Sequence, residues 1–170
     1  MEKTSTEKTV AKKDDLEAAL RTVGNMLGYA DRSEKKLYER LVQKGYSQKV
    51  AAQAVAHAVQ TGLLCEARTA QAIAEYSAQQ QWYGARRIAQ ALYQKGYSRE
   101  VIDGVDLSQI DFADLCRRRI ERFCAREVAA LRQGLPYPEA QKLRKKVMAY
   151  ALRYGFSSEA ISYAMEELGI

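Results

Sequence analysis

Lys44-Gly45-Tyr46-Ser47 recurs as Lys95-Gly96-Tyr97-Ser98 and, more loosely, as Tyr154-Gly155-Phe156-Ser157, at intervals of 51 and 59 residues. Each copy follows apolar residues three and seven positions earlier: Leu41 and Leu37, Leu92 and Ile88, Ala151 and Val147. Each is followed by further apolar positions, at Val50, Val101-Ile102 and Ala160-Ile161. Self-similarity of this kind marks a repeated supersecondary unit. The phrase itself spells a helix stop and a helix start. Glycine accepts the left-handed backbone that ends a helix. The aromatic residue after it can pack back onto Leu41, Leu92 or Ala151, as a Schellman ending requires. Lys44 and Lys95 suit the negative end of the helix they close, and serine caps the next one.

Helical periodicity fills the intervals between the phrases. Leu16, Leu20, Val23, Leu27 and Ala30 step by four and three, Asp31-Arg32-Ser33 interrupts, and Ser33-Glu34 opens a second helix. In the middle repeat Ala70, Ile73, Ala74 and Ser77 form the expected inner stripe, and Gly104 cuts short the helix after Ser98. The third repeat reads as one long helix from Asp111 to Gln133, with Leu115, Ile120, Phe123, Val128 and Leu131 on its apolar side. Residues 134–138 break the pattern, and Pro138 suits the start of a helix that carries Leu143, Val147 and Leu152 inward. A last helix runs from Ser157 to about Leu168. The expected fold is all-α: three tandem three-helix repeats at 16–62, 63–107 and 108–170, about nine helices in an elongated, curved helical array. Residues 1–15 read as a disordered tail.

Composition agrees with a helical protein that has enough apolar material for a core: two prolines, 10 glycines and 47 % hydrophobic residues. The net charge of +6 favours acidic partners, either nucleic acid or an anionic protein surface. The chain has no apolar run near the length of a membrane span and no signal-like N-terminus, so the expected location is the cytoplasm, away from membranes. Cys65, Cys116 and Cys124 read as free, mostly buried thiols. The last two sit eight residues apart, roughly 12 Å along a helix, too far for a disulfide.

The sequence carries no catalytic constellation. His57 is the single histidine, the cysteines fit no zinc spacing, and no glycine loop could cradle a phosphate. The reading is therefore a non-enzyme without metal or cofactor. The basic residues say more. Arg86 and Arg87 stand beside Trp82 and Tyr83, and residues 114–126 hold five arginines against Asp114 and Glu121. Arg119, Arg122 and Arg126 step by three and four, which puts them on one face of an unbroken helix. Arg117, Arg118 and Lys145 extend the set. Arginine clusters suit carboxylate and phosphate partners.

These stretches together resemble the RecX family of bacterial RecA regulators, from about Leu16 to the end. The carrying pieces are Arg32-Ser33-Glu34 followed by Leu37, Leu41 and Lys44-Gly45-Tyr46; Gly62-Leu63-Leu64; Tyr83 to Ser98; and Tyr154 to Ile161. Departures are Cys65-Glu66 where paired acids are usual, Ala85 where proline is common, and no tryptophan near Phe112. The resemblance implies a small helical monomer that binds RecA and its filaments on single-stranded DNA. It would lie along the filament groove and limit filament growth, ATP hydrolysis, strand exchange and co-protease activity. Arg86, Arg87, Arg117, Arg118, Arg119, Arg122 and Lys145 are the expected contacts with RecA carboxylates or DNA phosphates. Trp82 and Tyr83 either pack on the partner or plug a junction between repeats. The alternative is a helical-repeat module that binds DNA directly, without RecA.

Overall fold

The computed structural model describes residues 15–170. Over them the chain forms ten helices and no β-strand: α1 Leu16–Tyr29, α2 Glu34–Gln43, α3 Gln48–Gln60, α4 Glu66–Gln79, α5 Ala85–Gln94, α6 Arg99–Asp103, α7 Phe112–Phe123, α8 Ala125–Arg132, α9 Tyr137–Arg153 and α10 Ser158–Glu167. The tail expected at 1–15 lies outside the described residues except for Asp15, which caps α1 by accepting from the Ala18 amide at 3.0 Å. No helix among the described residues is long and apolar enough to cross a membrane.

The three phrases are the corners the sequence promised. In the first, the Tyr46 amide donates to Leu41 O at 3.3 Å and the Gly45 amide to Val42 O at 2.9 Å, the paired bonds of a Schellman ending. The third repeats them, Phe156 to Ala151 at 3.3 Å and Gly155 to Leu152 at 3.0 Å. Tyr46, Tyr97 and Phe156 are all buried. Ser47, Ser98 and Ser157 each cap the following helix, accepting from Val50, Val101 and Ala160.

The helices divide into two compact units, and the division falls within α4. The first unit comprises the described residues up to Thr69 with Lys95–Tyr97. Its core joins α1, α2 and α3 through Ala19, Val23, Leu37, Leu41, Tyr46, Ala51 and Ala54. Ser33 caps α2 and also donates from its hydroxyl to Lys95 O at 2.8 Å, so the second corner is seated on the start of α2.

In the second unit α7 packs against α10, α8 and α9. Leu115, Ile120, Val147, Ala151, Phe156, Ile161 and Ala164 are among its buried residues. Gln71 of α4 clasps the chain beyond α6, accepting from the Asp106 amide and donating to Asp106 O, both at 2.9 Å. The long helix expected from Asp111 to Gln133 is broken at Cys124, whose φ of −115° and ψ of 27° leave the helical region. Neither glycine nor proline marks that break. Arg126 therefore lies beyond it, on α8, and no longer continues the row of Arg119 and Arg122. Phe123 and Leu152, expected inside, are 56 % and 44 % exposed.

All three cysteines are free, with Cys116 and Cys124 buried and Cys65 partly exposed. Burial pushes the Cys116 thiol up to about 12 and raises that of Cys124 as well. The folded protein thus holds these protons more tightly than the unfolded chain. The stabilisation is complete below the ordinary thiol value of 9.0 and is lost as pH climbs through the folded pKa. Alkylation with iodoacetamide at pH 8 is accordingly expected to modify Cys65 alone in the native protein and all three thiols in urea. Native modification of Cys116, read by peptide mass, would contradict its burial.

Candidate partner-binding site

The stretch between α4 and α5 is bonded back onto α4. Trp82 donates its amide to Ala78 O at 3.1 Å and Tyr83 to Ser77 O at 3.1 Å. Trp82 takes a φ of +51°, a left-handed backbone uncommon for a bulky residue. The segment is then pinned to the third corner. The Gly84 amide donates to Tyr154 O at 2.9 Å and the Arg86 amide to Gly155 O at 3.2 Å. Carbonyls at the end of α9 thereby satisfy amides that α5 would otherwise leave unpaired. The backbones approach so closely that a Cβ on Gly84 would stand 2.3 Å from the Gly155 carbonyl carbon.

Arg119 lies beneath this junction, only 6 % exposed. Its Nη1 donates to Gln81 O at 2.7 Å and Trp82 O at 3.2 Å. The guanidinium carbon sits 3.4 Å from the centre of the Tyr154 ring. The Phe123, Tyr150 and Tyr83 rings stand at 5.1, 5.6 and 5.8 Å from it. Four rings and two carbonyls thus enclose a cation that makes no ion pair among the described residues. Burial raises the Tyr150 phenol above its usual value, against the opposing pull of this charge.

Above Arg119 the surface opens into a cleft of about 390 Å³, lined by Trp82, Tyr83, Phe123, Tyr154, Arg119 and Arg122 together with Gln80 and Gln81. Trp82 meets Phe123 edge to face, with ring centres 6.3 Å apart. Arg118 and Arg122 lie over the Trp82 ring at 5.7 and 5.6 Å. They differ in charge balance. Arg118 pairs with Asp114 at 3.0 Å, whereas the exposed Arg122 touches only rings and makes no ion pair among the described residues.

The remaining sequence-predicted residues are scattered around this cluster. Arg117 is tied down by Asp114 at 2.6 Å and Glu121 at 3.2 Å. Arg87 is half-buried, donating to Gln90 at 2.8 Å and lying 5.6 Å from the Tyr83 ring centre. Arg86 and Lys145 are exposed. Arg119, expected at the surface, belongs to the interior. Tyr150 and Tyr154 were missed by sequence reasoning. A signal existed for Tyr154: it stands where the other two phrases carry Lys44 and Lys95. Among the described residues no group of His, Cys, Asp and Glu could hold a metal ion.

Residues 18–57 match the model of RecX, first three-helix domain. The fold is similar to the crystal structure of RecX from Lactobacillus salivarius, with a TM-score of 0.79 at 17 % identity, covering 92 % of this chain and 97 % of that one. It is also similar to a crystal structure of regulatory protein RecX, with a TM-score of 0.73 at 18 % identity, covering 89 % of this chain and 71 % of that one. No curated protein matches the chain. Residues 18–57 are thus similar in sequence to the first three-helix domain of RecX, and the fold over nearly the whole chain is similar to that of solved RecX structures.

Proposed function

We propose that this chain is a cytoplasmic, monomeric, non-enzymatic regulator of the RecA recombinase. It binds RecA and RecA filaments on single-stranded DNA, lies in the filament groove, and limits filament growth, ATP hydrolysis, strand exchange and co-protease activity. The repeats at 16–62, 63–107 and 108–170 act as successive binding modules, the last holding four helices because its first is broken at Cys124. The observation that carries this reading is the RecX match over residues 18–57. The exposed cations Arg86, Arg118, Arg122 and Lys145 support it, since such groups seek carboxylates and phosphates. Trp82 and Tyr83 add apolar contact area. Arg87 and Arg117, already bonded within the chain, contribute less, and Arg119 contributes by seating Trp82.

The decisive experiment titrates the protein into RecA-catalysed, single-strand-dependent ATP hydrolysis. Inhibition is expected well below one copy per RecA, as a block on filament growth requires. Arg118→Glu combined with Arg122→Glu is expected to raise the half-inhibitory concentration at least ~10-fold, about 1.4 kcal/mol of lost binding. Unchanged hydrolysis at equimolar folded protein would discard the reading. Tight, steeply salt-dependent binding to naked duplex would then favour the direct DNA-binding alternative.

A further inference from the structure

The cleft over Arg119 has three properties that a solvated charged surface does not need. Its floor is a buried cation that has no counter-ion among the described residues, and the Nε of Arg119 is buried without a hydrogen-bond partner among them. Its rim carries Arg122, held over the Trp82 and Phe123 rings at 5.6 and 5.8 Å and paired with no carboxylate among the described residues. Beside Arg122 stands Phe123, a large apolar ring 56 % exposed at the last turn of α7.

A guanidinium lying over an aromatic ring keeps its N–H edge free to fork a carboxylate, and the ring limits the rotamer freedom it would otherwise lose on binding. The positive floor adds a field that water screens poorly at that depth. Nucleobase stacking fits less well, because guanidiniums already lie over the Trp82 ring at 5.7 and 5.6 Å. We infer that this cleft is an anchor for an acidic side chain of a protein partner, its carboxylate forked by Arg122 over the Arg119 charge and an adjoining apolar residue resting on Phe123. The inference rests on the reading of this chain as a protein-binding regulator and names the chemistry of one of its contacts. Trp82 positions Arg122, and Arg118 stays with Asp114 at 3.0 Å.

Trp82 is the single tryptophan of the chain, so the cleft reports on itself. The full-length protein is titrated with a blocked pentapeptide of alternating glutamate and leucine, with its glutamine analogue, and with a short oligothymidylate, following Trp82 emission. The glutamate peptide is expected to give a saturable change, and the glutamine analogue to bind at least ~10-fold more weakly. Arg122→Gln should weaken the glutamate peptide about tenfold, whereas Arg99→Gln, on exposed α6, should leave it unchanged. A response to the glutamate peptide that does not depend on Arg122 overturns the anchor. So does an Arg122-dependent response to oligothymidylate with none to the peptide. A parallel arm measures co-sedimentation with RecA filaments on single-stranded DNA. Arg122→Gln binding the filaments as tightly as the parent overturns the anchor while the regulatory reading stands. A parent that ignores filaments yet closes on the glutamate peptide sinks the regulatory reading while the anchor stands.

Discussion

Gly155→Ala is expected to destabilise the protein by about 3–4 kcal/mol, several times the effect of Gly134→Ala. The two glycines share one liability. Gly155 has a φ of +89° and Gly134 a φ of +80°, so either alanine is forced into a left-handed backbone, at about 1 kcal/mol. They differ in what lies beyond the missing Cβ. At Gly134 no described residue stands within 4 Å, whereas at Gly155 the Cβ would meet the Arg87 amide nitrogen at 2.3 Å and Arg87 Cα at 2.9 Å. Those are backbone atoms at the start of α5, and they cannot swing aside as the end of a flexible side chain could. The third corner would have to lift away, releasing the bonds from Gly84 to Tyr154 and from Arg86 to Gly155. Urea denaturation followed by circular dichroism measures both variants. Equal losses for the two would show that the close packing of corner against α5 contributes nothing. Gly84→Ala should approach the Gly155→Ala value by the opposite route, with its own Cβ driven into the Gly155 carbonyl.

That junction explains why so much of the fold was legible. Every corner is a local device: an apolar helix end, a glycine, an aromatic and a capping serine, each acting within six residues of the next. The sequence therefore carries the signal undiluted, and α2, α3 and α10 start one residue after Ser33, Ser47 and Ser157 as the cap chemistry requires. What the corners sit on is not local. Ser33 reaches Lys95 across 62 positions, and nothing near either residue announces the partner. The break at Cys124 was illegible for a related reason, since no residue there disfavours a helix. Leu152 and Phe123 keep the right period, yet periodicity alone does not reveal that α9 and α7 turn those positions outward.

The candidate site was legible in composition and illegible in depth. The spacing of Arg119 and Arg122 promised one exposed row, but three residues along a helix is far enough for one cation to face the core and the other solvent. The clue lay elsewhere, in a tyrosine at 154 where two related phrases have lysine. A lysine there would have repelled the Arg119 guanidinium, whereas the tyrosine ring receives it at 3.4 Å.

Arg119→Met tests whether that burial is structural, and the expected result is a loss of about 2–3 kcal/mol. Two effects oppose each other. Removing a buried cation that has no counter-ion among the described residues relieves a desolvation cost, and by that argument alone methionine could stabilise. Against it stand two charge-assisted hydrogen bonds, to Gln81 O at 2.7 Å and Trp82 O at 3.2 Å, whose acceptors methionine leaves unpaired. Each unpaired buried acceptor costs about 1–3 kcal/mol, and the stacking on Tyr154 is lost as well. The guanidinium already has ring faces and carbonyls in place of water, so the relief is the smaller quantity and destabilisation wins. Trp82 supplies a second readout. Its left-handed backbone at φ +51° is held by the bond that Arg119 donates to its carbonyl. Without that bond the ring should leave Phe123 and its native emission shift to the red, before any unfolding. Arg119→Lys keeps the charge but offers no planar fork and no face to stack on Tyr154, so it should recover less than half of the loss. Full rescue by lysine would reduce Arg119 to a point charge, and unchanged stability and emission in Arg119→Met would remove it from the junction altogether.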